Sequence, residues 1–477
     1  MDAQRSFGQI HFGEVELGDQ RRNRRLPQLV DELVRHPGGT LPEKLSSPAD
    51  LEAFYRLCNA DDVTHASVLA PHRAMVLEKL QETLSYLLVV HDATDFDFSK
   101  RTSLSKLGQI GNGRGRGYIS QQSLVVDPEK GSVEGLASQI LHTRIDVPKH
   151  EGVADKRERE TRESLLWLKG TAGLPSRREI VDVCDRGADT FEFLEHEVHS
   201  GRTFVIRAAY DRAIQPGHEG DADEAASLFE YIRGMPSLGS SQVELRISAQ
   251  QQAGSGETLP TTRVADLQMS AAPIRLLAPH VRRGKHGRDP LAVWIVRIRE
   301  QNPPQGCDAL EWFLFTNHPC SRACDTRRVK SWYEWRWVIE EYHKGQKSGF
   351  AIEDLQFRDE DRLKPAIAIL SIVALTLLQL RDAARDPDSH TRRATEIIDP
   401  ESIAILSQHI TGRPCPDWSV HDYAIALARL GGYRRRKNCP PGWLVLWRGH
   451  SKLELMLEGA RALKNAQRFN SQKCAMR

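Results

Sequence analysis

The chain of 477 residues has few cysteines for its length, and its eight cysteines include no C-x-x-C pair. The length excludes a small secreted scaffold, and the cysteine spacing gives no support to a structural zinc site. Lys plus Arg (66) nearly balance Asp plus Glu (64), so the formal net charge is only +2. The prediction of a nucleic-acid partner must therefore rest on local clusters of charge.

Long apolar runs are also scarce. The strongest, from Pro365 to Leu380, contains Ser371, Thr376 and Gln379 and is shorter than the ~20 residues that span a bilayer. It predicts a buried helix and no membrane partner. The first ten residues lack the apolar stretch of a signal peptide, so we expect a cytoplasmic protein with reduced thiols.

The remaining composition is that of a folded protein with about three structural units. The first 70 residues predict short helices, one of which carries four crowded arginines: Arg21, Arg22, Arg24 and Arg25. Such a cluster either follows DNA phosphates or forms a solvated helix face. A second basic cluster, 434–437, leaves the same two interpretations open.

Two apolar runs of strand length each close on an acid. Residues 86–91 precede Asp92, and residues 179–184 precede Asp185. Further strands are predicted at 123–126 and 133–145, and helices at 158–168 and 190–200. Residues 203–318 are mostly β in pattern and the chain after 326 is mostly helical, so the predicted fold class is α/β.

Segment 331–347 combines three tryptophans with a polar stripe. If it forms one helix, Tyr333, Arg336, Glu340 and Lys347 lie within an arc of about 60°. The stripe is either a functional face or a surface helix with internal ion pairs.

The two strand-end acids favour the functional interpretation. A carboxylate at the middle of a sheet is costly to bury unless a cation or a hydrogen-bond network receives it. With Glu340 as a third acid, Asp92 and Asp185 supply only oxygen ligands, which suit Mg²⁺ or Mn²⁺. Two ions about 3.5–4 Å apart would serve phosphodiester cleavage or strand transfer. The alternative is that each acid caps a strand or forms an ion pair.

The pattern Tyr333-x2-Arg336-x3-Glu340-x6-Lys347 resembles the Tyr-Arg-Glu-Lys signature of the insertion-sequence-four family of DDE transposases. Asp92-Ala93-Thr94 and Asp185-Arg186-Gly187 follow strands in the order that the family requires, although Ala93 and Gly187 depart from its usual residues. The segments 17–22, 55–56 and 426–432 extend the resemblance over nearly the whole chain, and it is greatest to the transposon-five branch.

The resemblance implies a ribonuclease-H-like catalytic core with a β-rich insertion between the second and third acids. It implies a helical DNA-binding domain at 1–70, a catalytic domain at 71–384 with its insertion at about 208–318, and a helical dimerisation region at 385–477. An apolar face in the last region, marked by Leu453, Leu457 and Leu463, suits either a dimer contact or packing within the chain.

The resemblance also assigns roles to residues. Asp92, Asp185 and Glu340 would be catalytic and hold two Mg²⁺ ions, with Mn²⁺ as a substitute. The residues expected to contact DNA are Tyr333, Arg336, Lys347, Arg207, Trp312, Arg21, Arg22, Arg24 and Arg25. Trp312 is expected beside an extruded base, or alternatively in the core. Asp95, Asp97, Asp189 and Glu341 are nearby carboxylates that spacing alone does not distinguish from ligands.

The implied activity is cut-and-paste transposition through hydrolysis, hairpin formation, hairpin opening and strand transfer. Its partners would be double-stranded DNA with transposon-end inverted repeats, target DNA and a second copy of the chain, at the nucleoid of a bacterial cytoplasm. A metal-dependent nuclease without strand transfer and a transposase-derived repressor are the alternatives.

Overall fold

The protein has a mixed α/β architecture, with one large mixed sheet between helical N-terminal and C-terminal parts. The computed structural model describes residues 5–36, 39–45, 47–145, 147, 150–217, 225–246, 262–279, 286–304, 309–434 and 440–475. The predicted α/β class is confirmed.

The N-terminal part is helical, as its sequence predicts. Its helices are α1 (Phe7–Phe12), α2 (Gln20–Arg35), α3 (Leu41–Lys44), α4 (Pro48–Cys58) and α5 (His65–Glu82). Asp19 begins α2 by accepting a hydrogen bond from the Arg21 amide at 2.7 Å. The predicted domain boundary at residue 70 lies inside α5 and stays a prediction.

The sheet forms from the apolar and β-branched runs of the sequence. Its strands are β1 (Leu87–Asp97), β2 (Gly108–Gln109), β3 (Arg116–Asp127), β4 (Ser132–His142), β5 (Ile180–Cys184), β6 (Thr203–Arg207), β7 (Ala213–Pro216), β8 (Ala226–Ser227), β9 (Gly239–Arg246), β10 (Thr262–Leu276), β11 (Leu291–Gln301) and β12 (Glu311–Thr316). The strands predicted near 86–92, 123–126, 133–145 and 179–185 are thereby confirmed, with shifted bounds.

The strand order places β1 and β5 in the middle of the sheet. Along the sheet the order is β4-β3-β1-β5-β6-β12-β11-β10. β1 runs antiparallel to β3 and parallel to β5, and β5 runs parallel to β6. The next three pairs along the sheet, β6 with β12, β12 with β11 and β11 with β10, are antiparallel. Central strands of this kind are covered on both faces, which explains their apolar runs.

In the described part of the chain, the helices between strands of the sheet are α6 (Val153–Glu158), α7 (Leu165–Gly170), α8 (Phe191–His199) and α9 (Leu228–Gly234). The helix predicted at 158–168 is wrong in its bounds, because the chain leaves the helix after Glu158 and re-enters one at Leu165. Long-range ion pairs hold the stretch between them, as Arg159 bonds Glu151 at 2.8 Å and the buried Arg162 bonds Glu192.

The last part of the chain is helical, as predicted. Its helices are α10 (Ala323–Glu334), α11 (Trp337–Lys344), α12 (Glu360–Val373), α13 (Leu375–Arg385), α14 (Pro400–Thr411), α15 (Val420–Leu430) and α16 (Trp443–Ala475). The stretch formed by α12 and α13 is long and apolar enough to cross a membrane, but most of it is buried inside the fold. The prediction of a buried helix is therefore confirmed.

The apolar face of α16 divides into two parts. Leu453 and Leu457 are buried against α14 and α15, so this part packs within the chain. Leu455 and Leu463 are exposed, Leu463 by 66% of its surface. The outer part of α16 thus lies outside the core.

A buried histidine pair joins the N-terminal helices to the sheet. His72 of α5 accepts a hydrogen bond from the Leu136 amide at 2.9 Å through Nε2, so its Nδ1 donates to Nδ1 of His11 at 2.9 Å. Burial lowers the pKa of His11 to about 4 and lowers the pKa of His72 well below its usual value. Both rings are therefore neutral in the folded protein at pH 7.

This pair predicts acid-sensitive stability. The unfolded chain binds protons on these rings below about pH 6.5, whereas the folded chain does not until the pH approaches 4, so stability falls as the pH falls between these values. At pH 5, protonation of His11 in the unfolded chain lowers the free energy of unfolding by about 2 kcal/mol, and His72 acts in the same direction. The melting temperature should drop between pH 7.5 and 5, and His11→Phe should reduce the drop. An equal drop in His11→Phe would contradict the assignment.

Candidate active site

Asp92 and Asp185 lie side by side on neighbouring parallel strands. His91 of β1 lies opposite Cys184 of β5. Asp92 and Asp185 are the next residues along these two segments. Both point to the same face of the sheet. Asp185 directly follows β5, as predicted. Asp92 lies within β1 and not at its end, because β3 pairs with β1 as far as Asp97; the prediction of a strand ending at Asp92 is wrong.

The charges around Asp92 show that the acids are close. The pKa of Asp92 is raised to about 7, first by burial and then by the neighbouring charge of Asp185. Glu340 of α11 acts in the same direction, whereas the Ala93 amide and Arg336 oppose it. Three carboxylates from three elements therefore share one electrostatic environment.

Arg336 lies between two of these acids. Its guanidinium is 3.4 Å from Asp92 Oδ2 and donates to Glu340 Oε1 at 2.7 Å. Each of the three side chains is mostly removed from solvent, with side-chain exposures of 18% for Arg336, 18% for Asp92 and 27% for Glu340. A buried cation thus partly balances the acidic group, an arrangement that the sequence spacing of Arg336 and Glu340 alone does not reveal.

The acids fit a hard divalent ion by charge and donor type. Within the described ranges, no three His, Cys, Asp or Glu side chains form a group that could hold a metal ion. Mg²⁺ does not require such a cage, because it keeps several waters and is bound through one or two carboxylates plus substrate phosphates. Burial and the charge of Asp185 raise the pKa of Asp92, and a bound cation would stabilise the charged form against both.

Tyr333, Arg207 and Trp312 form a second group beside the acids. The rings of Tyr333 and Trp312 are 5.1 Å apart in an edge-to-face arrangement, and the Tyr333 hydroxyl bonds Arg207. Arg207, at the end of β6, also donates to the Glu311 carbonyl oxygen at 3.4 Å. Burial raises the pKa of Tyr333, which Arg207 opposes and Asp185 reinforces. The structure thus brings three predicted DNA-binding side chains together next to the acids.

Lys347 lies in a segment that changes its helical form. The segment is not one regular α-helix: α10 ends at Glu334, α11 begins at Trp337, and residues 345–349 form a π-helical turn. That turn has more residues per revolution than an α-helix, so the angle between Lys347 and Glu340 differs from the one that a regular helix gives. Lys347 Nζ lies 3.8 Å from Glu353 Oε1. The prediction of one regular helix over 331–347 is therefore wrong, and the role of Lys347 in DNA binding stays a prediction.

The four arginines of α2 fall into two pairs. The Arg21 side chain is 93% exposed and contacts Asp19, and Arg24 is also exposed. Arg22 contacts Asp62, and Arg25 is ion-paired with Asp50. In the second basic cluster, residues 435–437 lie outside the described residues.

Each of the four carboxylates that resemble ligands in sequence has a structural partner. Asp95 accepts from the Gly111 amide, Asp97 from the Ser99 amide, Asp189 from Arg212, and Glu341 pairs with Arg381. None of these partners is Arg336, which contacts Asp92 and Glu340.

Comparison with known families bears on the N-terminal helices. Residues 4–63, which include α1 to α4, match the family described as transposase DNA-binding. This match covers the helix that carries the exposed arginines Arg21 and Arg24. It supports a transposase that has DNA as a partner.

Proposed function

We propose that the chain is a DDE transposase of the insertion-sequence-four family, similar to its transposon-five branch, that excises and inserts DNA by a cut-and-paste route. The observation that carries the proposal is that Asp92 shares its surroundings with Asp185 and Glu340, and that Arg336 contacts both Asp92 and Glu340. The meander of β1, β3 and β4 beside parallel β5 and β6 supports a ribonuclease-H-like core. The β-rich segment between β6 and α10 supports the implied insertion.

In this proposal Asp92, Asp185 and Glu340 would hold two Mg²⁺ ions. When bound, such ions lower the pKa of an attacking water and neutralise charge on phosphate and leaving oxygens. Arg336 would then donate to a DNA phosphate, for which its planar guanidinium is well suited. Arg336 contacts only one oxygen of each of the two carboxylates, which is consistent with its release from the acids when a phosphate binds.

Arg207 and Tyr333 would bind the phosphates that flank the scissile bond. Arg207 is close enough to Tyr333 to oppose the rise of its pKa, and it also donates to the Glu311 carbonyl oxygen, so both side chains are partly ordered before DNA binds. The half-buried Trp312 ring, held against Tyr333, offers a face to an extruded base during hairpin formation and opening. Lys347 would reach DNA after leaving Glu353.

Assembly and location follow from the same proposal. The exposed Leu455 and Leu463 of α16 suit a contact with a second copy of the chain, and two copies would hold the two transposon ends. We place this complex at the nucleoid of a bacterial cytoplasm, with inverted-repeat ends and target DNA as its substrates.

The test is purified protein with Mg²⁺, DNA carrying the flanking repeats of its gene, and a target plasmid. Cleavage, hairpin intermediates and joining support the proposal. Cleavage without joining favours a nuclease, and binding without cleavage favours a repressor. Each outcome is read from the same labelled DNA on a denaturing gel.

Arg336→Met provides a prediction about the free protein. Removing the guanidinium leaves Asp92 and Glu340 without their cation, so the acids should bind Mn²⁺ several times more tightly, by about 1 kcal/mol. Cleavage of DNA should nevertheless fall, because the phosphate loses a ligand. The free Mn²⁺ signal in electron paramagnetic resonance measures the affinity. Weaker Mn²⁺ binding in this variant would argue against Arg336 as a competitor of the metal.

A further inference from the structure

A buried charged network lies behind the two aspartates, on the opposite face of the same strands. Asp182 of β5 accepts a hydrogen bond from His91 Nε2 of β1 at 2.7 Å. His91 Nδ1 is 2.9 Å from Ser123 Oγ of β3. The side chains of His91 and Asp182 have no exposed surface. One network therefore spans three adjacent strands, two of which lead into Asp92 and Asp185.

The network continues to the loop before β6. Arg202 bonds the second oxygen of Asp182 through Nε, and its NH2 donates to Glu197 Oε1 at 3.2 Å. Glu197, on α8, is fully buried, and its other oxygen has no hydrogen-bond partner within the described part of the chain. The links bring together β1, β5, α8 and the start of β6.

Stability alone does not account for such a group. The free energy that a buried ion pair loses through desolvation is often larger than the free energy that its attraction returns. Proteins in which apolar residues of similar size replace such a pair are often as stable. The same face of β1 and β5 also carries the buried residues Leu87, Val89 and Ile180, which shows that apolar side chains fit this layer. Charged hydrogen bonds provide what apolar contacts do not, a defined distance and direction between two backbones.

The alternation of side chains connects the network to the acids. His91 and Asp92 are consecutive on β1, so they point to opposite faces, and the Val89–Asp182 register places Asp182 on the His91 face. Asp185, three residues after Asp182, returns to the Asp92 face. A shift of β5 along β1 would move Asp185 relative to Asp92 and would also break the His91–Asp182 hydrogen bond.

We propose that His91, Asp182 and Arg202 form a positioning network that fixes the register of β1 and β5 and so sets the separation of Asp92 from Asp185. The inference rests on the proposed function, because it assigns the network to the divalent-ion site of that function. None of the three residues touches the ion or DNA. They act through the strands that carry the ligands.

The test is a quadruple variant, His91→Leu, Asp182→Leu, Glu197→Leu and Arg202→Met, which removes the charged members together and leaves none of them unpaired. Its affinity for Mn²⁺ in the absence of DNA should fall at least about tenfold, as for other outer residues that orient ligands. Its melting temperature and its affinity for end DNA should match those of the wild type. The free Mn²⁺ signal, the thermal melt and a gel shift give the three values.

A matched control is available in the insertion. Arg263 of β10 and Glu300 of β11 form a bidentate pair, with the Glu300 side chain only 1% exposed and Arg263 NH2 donating to Oε2 at 3.0 Å. Arg263→Met with Glu300→Gln should leave Mn²⁺ affinity unchanged. If both variants lose Mn²⁺ affinity in proportion to the decrease in their melting temperatures, the network has only a structural role and the proposal is overturned.

The remaining outcomes are also decisive. Unchanged Mn²⁺ affinity in the folded quadruple variant overturns the positioning role. If the quadruple variant does not fold, Asp182→Asn replaces it: the amide keeps the shape but weakens the link, and a severalfold loss of Mn²⁺ affinity is expected, with no loss counting against the proposal. Failure of the proposed function is seen separately, as wild-type protein whose Mn²⁺ binding is absent or does not depend on Glu340.

Discussion

Glu340→Gln is expected to abolish cleavage of end DNA while binding of the same DNA persists. The amide keeps the oxygen that accepts from Arg336 NH2, at 2.7 Å in the native protein, so the helix and its partner should stay in place. What is lost is the negative charge that would hold a divalent ion. Loss of several kcal/mol of transition-state stabilisation corresponds to a decrease in rate of roughly 10³-fold or more.

The neighbouring residue provides the control for this experiment. Glu341 has the same side chain one position along α11, but it pairs with the buried Arg381 on α13. Glu341→Gln should lower the melting temperature and leave cleavage nearly intact. Nicking at the wild-type rate by Glu340→Gln would reject Glu340 as the third ligand, and equal loss in both variants would indicate a general effect on the helix.

The second large effect is expected in DNA binding by α2. Arg21→Ala with Arg24→Ala removes two exposed guanidinium groups on the helix that lies in the transposase DNA-binding match. At about 1.5 kcal/mol for each charged contact, affinity for DNA should fall about a hundredfold. The slope of log affinity against log salt should decrease by about two, because two phosphate contacts are lost.

Arg22→Ala with Arg25→Ala is the matched comparison on the same helix. These guanidinium groups are engaged by Asp62 and Asp50 within the domain, so their removal should affect the thermal melt more than DNA affinity. Fluorescence anisotropy over a salt series separates the two pairs. If the first pair changes neither affinity nor slope, the exposed side of α2 is not the DNA contact.

Many elements of this fold could be predicted from local pattern. The apolar runs before Asp92 and Asp185 predict β1 and β5, and the strand propensity of Val, Ile and Leu acts within a few residues. Helix α8 and the buried stretch of α12 and α13 are found where their periodicity places them. The segment 158–168 was not predictable in the same way, because pairs such as Arg162 with Glu192 override its helical tendency.

The candidate site was also predictable only in part. The spacing of Tyr333, Arg336, Glu340 and Lys347 in the sequence resembles the family signature, and it was enough to select these residues as candidates. It did not predict the change to a π-helical turn at 345–349 or the contact of Lys347 with Glu353. Such local changes in a helix depend on what packs around it, so spacing alone does not predict them.

By itself, the sequence determined which acids, arginines and aromatic residues are available and the strands and helices that carry most of them. Only the tertiary structure decided which partners they meet: Arg336 with Asp92 across 244 positions of the chain, and His91 with Asp182 across 91. The physical reason is that local propensity depends on adjacent residues, whereas these contacts depend on the register between distant strands and helices. That register is set by the packing of the whole sheet.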